Sequence, residues 1–139
     1  MKNITEMALV NGNLSGVYLT MKDYEKALSA AYKDLELSKL LITKQRNVPN
    51  PSMGIAFAYG YIGAVFFAKA SYDSALFYYQ KSLQIHRDLN HKNGVASMLV
   101  DIASFYSHNK NYQQAQICAL EALEISLNLS SNQLILSHF

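Results

Sequence analysis

The chain has 139 residues, of which 50% are hydrophobic, 16% charged and 12% aromatic; that is enough apolar material for a domain-sized core and too much for a disordered tract. Six glycines and 2 prolines exclude collagen-like and low-complexity classes, and a net charge of +2 is too small to mark a nucleic-acid surface or a polybasic anchor by itself. The lone cysteine, Cys118, excludes an internal disulfide, no apolar run approaches the roughly 18 residues of a membrane span, and Met1 to Glu6 lack the apolar core of a signal peptide, so a cytoplasmic all-α protein is expected.

In chain order, apolar residues at intervals of three and four predict helices near 3–20 and 24–45. The segment from Lys44 to Ser52 holds both prolines and is the clearest loop. Val48 and Asn50 precede those prolines, so the second helix is expected to end near Arg46, with Ser52 placed to cap the next. The third helix, 52–69, is apolar all round, carrying Phe57, Tyr59, Tyr61, Val65, Phe66 and Phe67. Helices follow near 73–89, 93–109 and 112–128, with a connection from Asp88 to Gly94 between the first two of these. A further connection is expected from Asn128 to Asn132, then a short seventh helix from about 132 to the end.

Three segments of this pattern align with one another. An aromatic (Tyr18, Phe66, Tyr106) stands six residues before a tyrosine beside a turn (Tyr24, Tyr72, Tyr112). Alanine follows that tyrosine by three (Ala27, Ala75, Ala115), leucine comes eight later (Leu35, Leu83, Leu123), and Leu37, Ile85 or Ile125 two beyond. Each copy therefore reads as a helix, a short polar turn and a second helix, with the alanine where two helices cross closely.

The middle copy, Tyr59-x-x-Ile62-Gly63-x-x-Phe66 with Ala75-x-x-x-Tyr79, resembles the tetratricopeptide repeat (TPR) family most closely. The first copy substitutes Asn11, Ser15 and Ala31, the third Leu99, Ala103 and Ala119, and the family's closing proline is missing from all three, Arg87 standing there in the middle copy. The resemblance implies an all-α fold of antiparallel helix pairs stacked as a right-handed superhelix. Its repeats would lie at about 3–45, 52–89 and 93–128, and 131–139 would begin a fourth, in a single TPR domain that is a piece of a longer protein. Tyr24, Tyr72 and Tyr112 are spaced by 48 and 40 residues, longer than the standard repeat of roughly 34. This long period is similar to that of regulatory domains in bacterial signal-transduction proteins.

The resemblance implies a protein- or peptide-binding module without catalysis. Family geometry assigns the concave face to first-helix residues outside the packing stripe, giving Asn13, Phe57, Tyr61, Phe67, Asp101, Ser104 and His108 as candidate ligand contacts. Leu9, Gly16, Thr20, Ala64 and Ser97 share that face. The apolar third helix is either buried by its neighbours or forms an aromatic groove for an apolar peptide. Chaperone-binding members grip a carboxylate with basic residues; the matching positions here hold Gly12, Gly16, Gly60, Tyr61, Val100 and Asp101, which argues against that ligand.

No cofactor or metal is expected. His86 and His91 are five apart across a helix end, and neither His108, His138 nor Cys118 completes a site. There is no Gly-rich phosphate loop and no nucleophile elbow. The basic residues are scattered, so neither nucleic acid nor membrane is an expected partner. The competing readings are a structural or self-associating scaffold, with Leu134, Ile135, Leu136 and Phe139 left unpaired at the C-terminal end, and a helical-repeat nucleic-acid binder.

Overall fold

The computed structural model describes residues 2–44 and 51–137. Six helices follow one another: α1 (Lys2–Thr20), α2 (Tyr24–Lys44), α3 (Pro51–Ala68), α4 (Tyr72–Asp88), α5 (Lys92–His108) and α6 (Tyr112–Ser137). Five of them begin and end within a residue of the expected limits. Among the described residues no strand forms, and consecutive helices pack as pairs.

Two expectations are corrected. Ser52 does not cap α3, because the helix already starts at Pro51; proline suits a first helical position, where its missing N–H would have had no partner. The break at Asn128 to Asn132 is absent, and α6 runs unbroken for 26 residues. Neither glycine nor proline occurs between 112 and 137. The Asn and Ser residues there cost only tenths of a kcal/mol each, about 0.7 at most, too little to end a helix. The separate seventh helix is therefore absent from the described residues, while His138 and Phe139, like residues 45–50 with Arg46, Val48 and Asn50, lie outside them.

Four of the connections share one recurring turn. Lys22, Ala70, Asn90 and Lys110 take φ of 61°, 63°, 53° and 64°. At each, the residue's own N–H donates to the carbonyl three back, and the next N–H donates to the carbonyl five back, as in Asp23 to Tyr18 and Ser71 to Phe66, both 2.9 Å. This double bond pattern satisfies the last carbonyls of the outgoing helix. Asp23 then starts α2 by accepting from the Lys26 N–H (3.2 Å), and Asn111 does the same for Gln114 (3.4 Å).

The chain divides into two compact units, Met1–Ile85 and His86–Phe139. In the first, Ala31, Leu35, Ala58 and Ile62 form a buried cluster, with Leu28, Ile55, Tyr59, Tyr61, Phe66 and Tyr78 against it. The repeat alanines Ala27 and Ala75 are fully buried, which is what close helix crossings require. Two serines tie such crossings. Ser15 Oγ donates to the Ala27 carbonyl at 2.9 Å, and Ser82 Oγ to the Ala56 carbonyl at 2.6 Å. Gly63 allows another: a Cβ there would lie 2.6 Å from the Tyr79 ring. The apolar third helix is largely covered by its neighbours, although Phe57 and the terminal Ala68 are exposed.

In the second unit α5 buries Val95, Met98, Leu99, Ile102 and Phe105, and α6 contributes Cys118 and Ala122. Arg87 and Glu121 make an ion pair at 2.9 Å. The opposite face of α6 carries Ile117, Leu120, Leu123 and Leu127, all more than half exposed. On the first unit, α1 exposes Met7, Val10, Leu14 and Val17 at alternating steps of three and four, and Met21 in the turn after it continues the stripe.

Candidate functional site

The three helices α1, α2 and α3 enclose a narrow groove of about 180 Å³. Thr5, Ala8, Leu9, Gly12 and Asn13 come from α1, Asp34, Ser38 and Leu41 from α2, and Gly54, Phe57 and Tyr61 from α3. Helical periodicity puts them together: each set steps by three or four and so lines one face. Glycine lets the helices close on this space. A Cβ on Gly12 would lie 2.9 Å from the Tyr61 ring and 3.0 Å from Asp34 Oδ2, and one on Gly54 3.0 Å from Ser38 Oγ.

Asp34 is the unexpected member. Its residue is only 5% exposed, yet it is a carboxylate among apolar walls. It accepts one hydrogen bond, from Ser38 Oγ to Oδ1 at 3.2 Å. Burial pushes its pKa from 3.8 up to about 6, against the smaller lowering effect of the Ser38 bond. Tyr61 is raised as well, first by burial and then by the Asp34 charge. At neutral pH the groove thus holds a desolvated negative charge. A wider groove of about 650 Å³ between α1 and α2, bordered by Asn11, Tyr18, Lys26, Tyr32, Lys33 and Glu36, is open to solvent and contains no buried charged group.

Of the candidates from sequence, Asn13, Phe57 and Tyr61 share this groove, with Phe57 42% exposed at its rim. Phe67 stands elsewhere on α3, its ring 5.8 Å from that of Tyr72. Asp101, Ser104 and His108 sit on one exposed face of α5 in the other unit. Gly16, on the candidate face of α1, meets nothing within 4 Å.

The helix, turn and helix of α5, Lys110 and α6 coincide with a sequence match: residues 96–129 fit the family model of the tetratricopeptide repeat. Those residues are a tetratricopeptide-type repeat, and the chain as a whole has the fold of stacked helix pairs. The match falls on the third copy, whereas the middle copy stands nearest to the motif by eye. In backbone, the chain is similar to the apo form of RapI, with a TM-score of 0.75 at 22% identity, over 90% of this chain and 43% of that one. It is also similar to BtubC (BKLC) from P. vanneervenii, with a TM-score of 0.73 at 18% identity, over 88% of this chain and 48% of that one. At such identities the likeness is one of fold, and the chain spans less than half the length of either structure. No curated protein matches it in sequence.

Sequence spacing separated His86 from His91, but the turn at Asn90 brings their rings to 5.0 Å between centroids, with Nδ1 to Nδ1 at 3.0 Å. His86 is buried, and burial together with the His91 charge lowers its pKa. Among the described residues no three metal-ligating side chains converge. Cys118 is buried, and burial followed by the Glu121 charge pushes its thiol pKa up, against a smaller effect of Arg87; the thiol is held in its unreactive protonated form. Among the described residues no helix is long and apolar enough to cross a membrane.

Proposed function

We propose that the TPR chain is a non-catalytic binding module that takes a peptide or protein segment in the groove of α1, α2 and α3, as the regulatory part of a larger cytoplasmic signalling protein. TPR proteins are scaffolds for protein partners, and helical repeats generally bind through surfaces assembled from successive repeats. The observation that carries the reading is the meeting of Asn13, Phe57 and Tyr61 from two successive repeats around one concave space. A rim-exposed aromatic beside amide and hydroxyl groups is the composition of a side-chain recognition pocket. Phe67 would support it from the far end of α3, and Asp101, Ser104 and His108 would offer a second contact surface on α5.

The test is selection of peptides from a random displayed library on the wild-type chain, followed by rebinding to a Phe57→Ala, Tyr61→Ala variant. The variant should lose the selected peptides while keeping its helical circular dichroism. Peptides that rebind equally to both would place binding elsewhere. A second reading, self-association through the C-terminal helix, is favoured by one observation: the exposed Ile117, Leu120, Leu123 and Leu127 stripe of α6.

A further inference from the structure

The groove just described contains an electrostatic imbalance. Asp34 is nearly buried, and the lining it shares holds only aliphatic, aromatic, amide, hydroxyl and glycine groups. The described acidic residues that do find cations are others: Asp23 with Lys26, Glu36 with Lys33, Glu121 with Arg87. No cation of the described residues acts on Asp34, whose surroundings are burial and the Ser38 hydroxyl. An ion taken out of water without a counter-ion is costly, and one supplied by a ligand recovers part of that cost while its own charge is neutralised.

We propose that this groove receives one cationic side chain of a bound peptide, a lysine or an arginine, on the carboxylate of Asp34. The proposal rests on the groove reading above and adds the chemistry of the ligand. Volume selects a single side chain, since about 180 Å³ falls short of the roughly 300–1,000 Å³ of whole small-molecule sites. Walls select a long one with an apolar stem. Leu9, Leu41 and Phe57 flank the methylene portion, and the faces of Tyr61 and Phe57 favour a cation near them. Gly12 and Gly54 keep the approach to Asp34 and Ser38 clear of any Cβ, because one at either place would press against these acceptors. The groove's own titratable groups are Asp34 and Tyr61; α1 brings none to it.

The probes are two blocked five-residue peptides with alanines around a central arginine or a central citrulline, its neutral isostere. Binding is followed by calorimetry and by the carbon chemical shift of the Asp34 carboxyl. At neutral pH the arginine peptide should bind the wild type at least about tenfold more tightly than the citrulline peptide. Asp34→Asn should remove that ratio, and acidification through about 6 should shrink it as Asp34 is neutralised. Equal affinities on the wild type, a ratio that survives in Asp34→Asn, or no binding of either peptide would overturn the proposal. If both peptides bind equally and both are lost on Phe57→Ala, Tyr61→Ala, the groove reading stands while the cation reading falls. If the arginine preference persists in that double variant and vanishes in Asp34→Asn, Asp34 holds the cation without the aromatic walls, and the groove reading falls instead.

Discussion

Asp34 couples the stability of the fold to pH in a direction opposite to most aspartates. Its folded pKa of about 6 stands above its ordinary 3.8, so the folded state binds the proton more tightly than the unfolded one. Its stabilising contribution is therefore complete below 3.8 and lost as pH rises through 6, a difference of about 3 kcal/mol. Asp34→Asn should raise the urea midpoint at neutral pH and change little at pH below the ordinary carboxylate range; a lower midpoint at neutral pH would show that the charge stabilises the fold. His86 has the other sign, since its lowered pKa contributes stability above the ordinary 6.5 that is lost on acidification. Asp34 was legible in principle. It stands on the buried stripe of Ala27, Ala30, Ala31, Leu35, Ser38 and Leu41, where a carboxylate is out of place. Sequence reasoning passed over it because it looked for ligand contacts on first helices, and α2 is a second helix.

At the scale of the helix, glycine has two different meanings that spacing alone does not separate. In α1, Gly16 is exposed and faces open space, so Gly16→Ala should stabilise the chain by about 0.5–1 kcal/mol through helix propensity. In α5, a Cβ on Gly94 would fall within the His86 ring, which is buried and cannot swing away. Gly94→Ala should therefore destabilise by about 1–3 kcal/mol. Thermal melts of the two variants should move in opposite directions, and a shared direction would mean that the packing at His86 yields. Helix limits were readable because the apolar period and the turn tyrosines agree at every copy. The continuity of α6 was not, since Asn128, Ser130, Ser131 and Asn132 look like a connection while offering no backbone reason to stop.

For the whole molecule, the apolar surface is unevenly spent. The repeat leucine Leu35 is buried, yet its counterpart Leu123 is 54% exposed, so the same repeat position packs in the first copy and faces outward in the third. Together with Ile117, Leu120 and Leu127 it leaves α6 a face of the kind that helix pairing normally removes from water. A Leu120→Glu, Leu127→Glu variant should sediment as a monomer at concentrations where the wild type shifts to a faster species. Identical sedimentation of the two at all concentrations would eliminate self-association through this face.

The four left-handed turns carry a consequence for recognition by sequence. None of Lys22, Ala70, Asn90 and Lys110 is glycine, and each turn repeats the same pair of main-chain hydrogen bonds. A charged, a small and an amide side chain serve the same bend, so the residue there says almost nothing about the bend. Geometry of this kind persists where side-chain patterns blur. The family model accordingly recognises residues 96–129, whereas the backbone of RapI follows 90% of the chain. In this protein the architecture is spelled in the main chain, and its side chains are left at liberty to differentiate one repeat from the next.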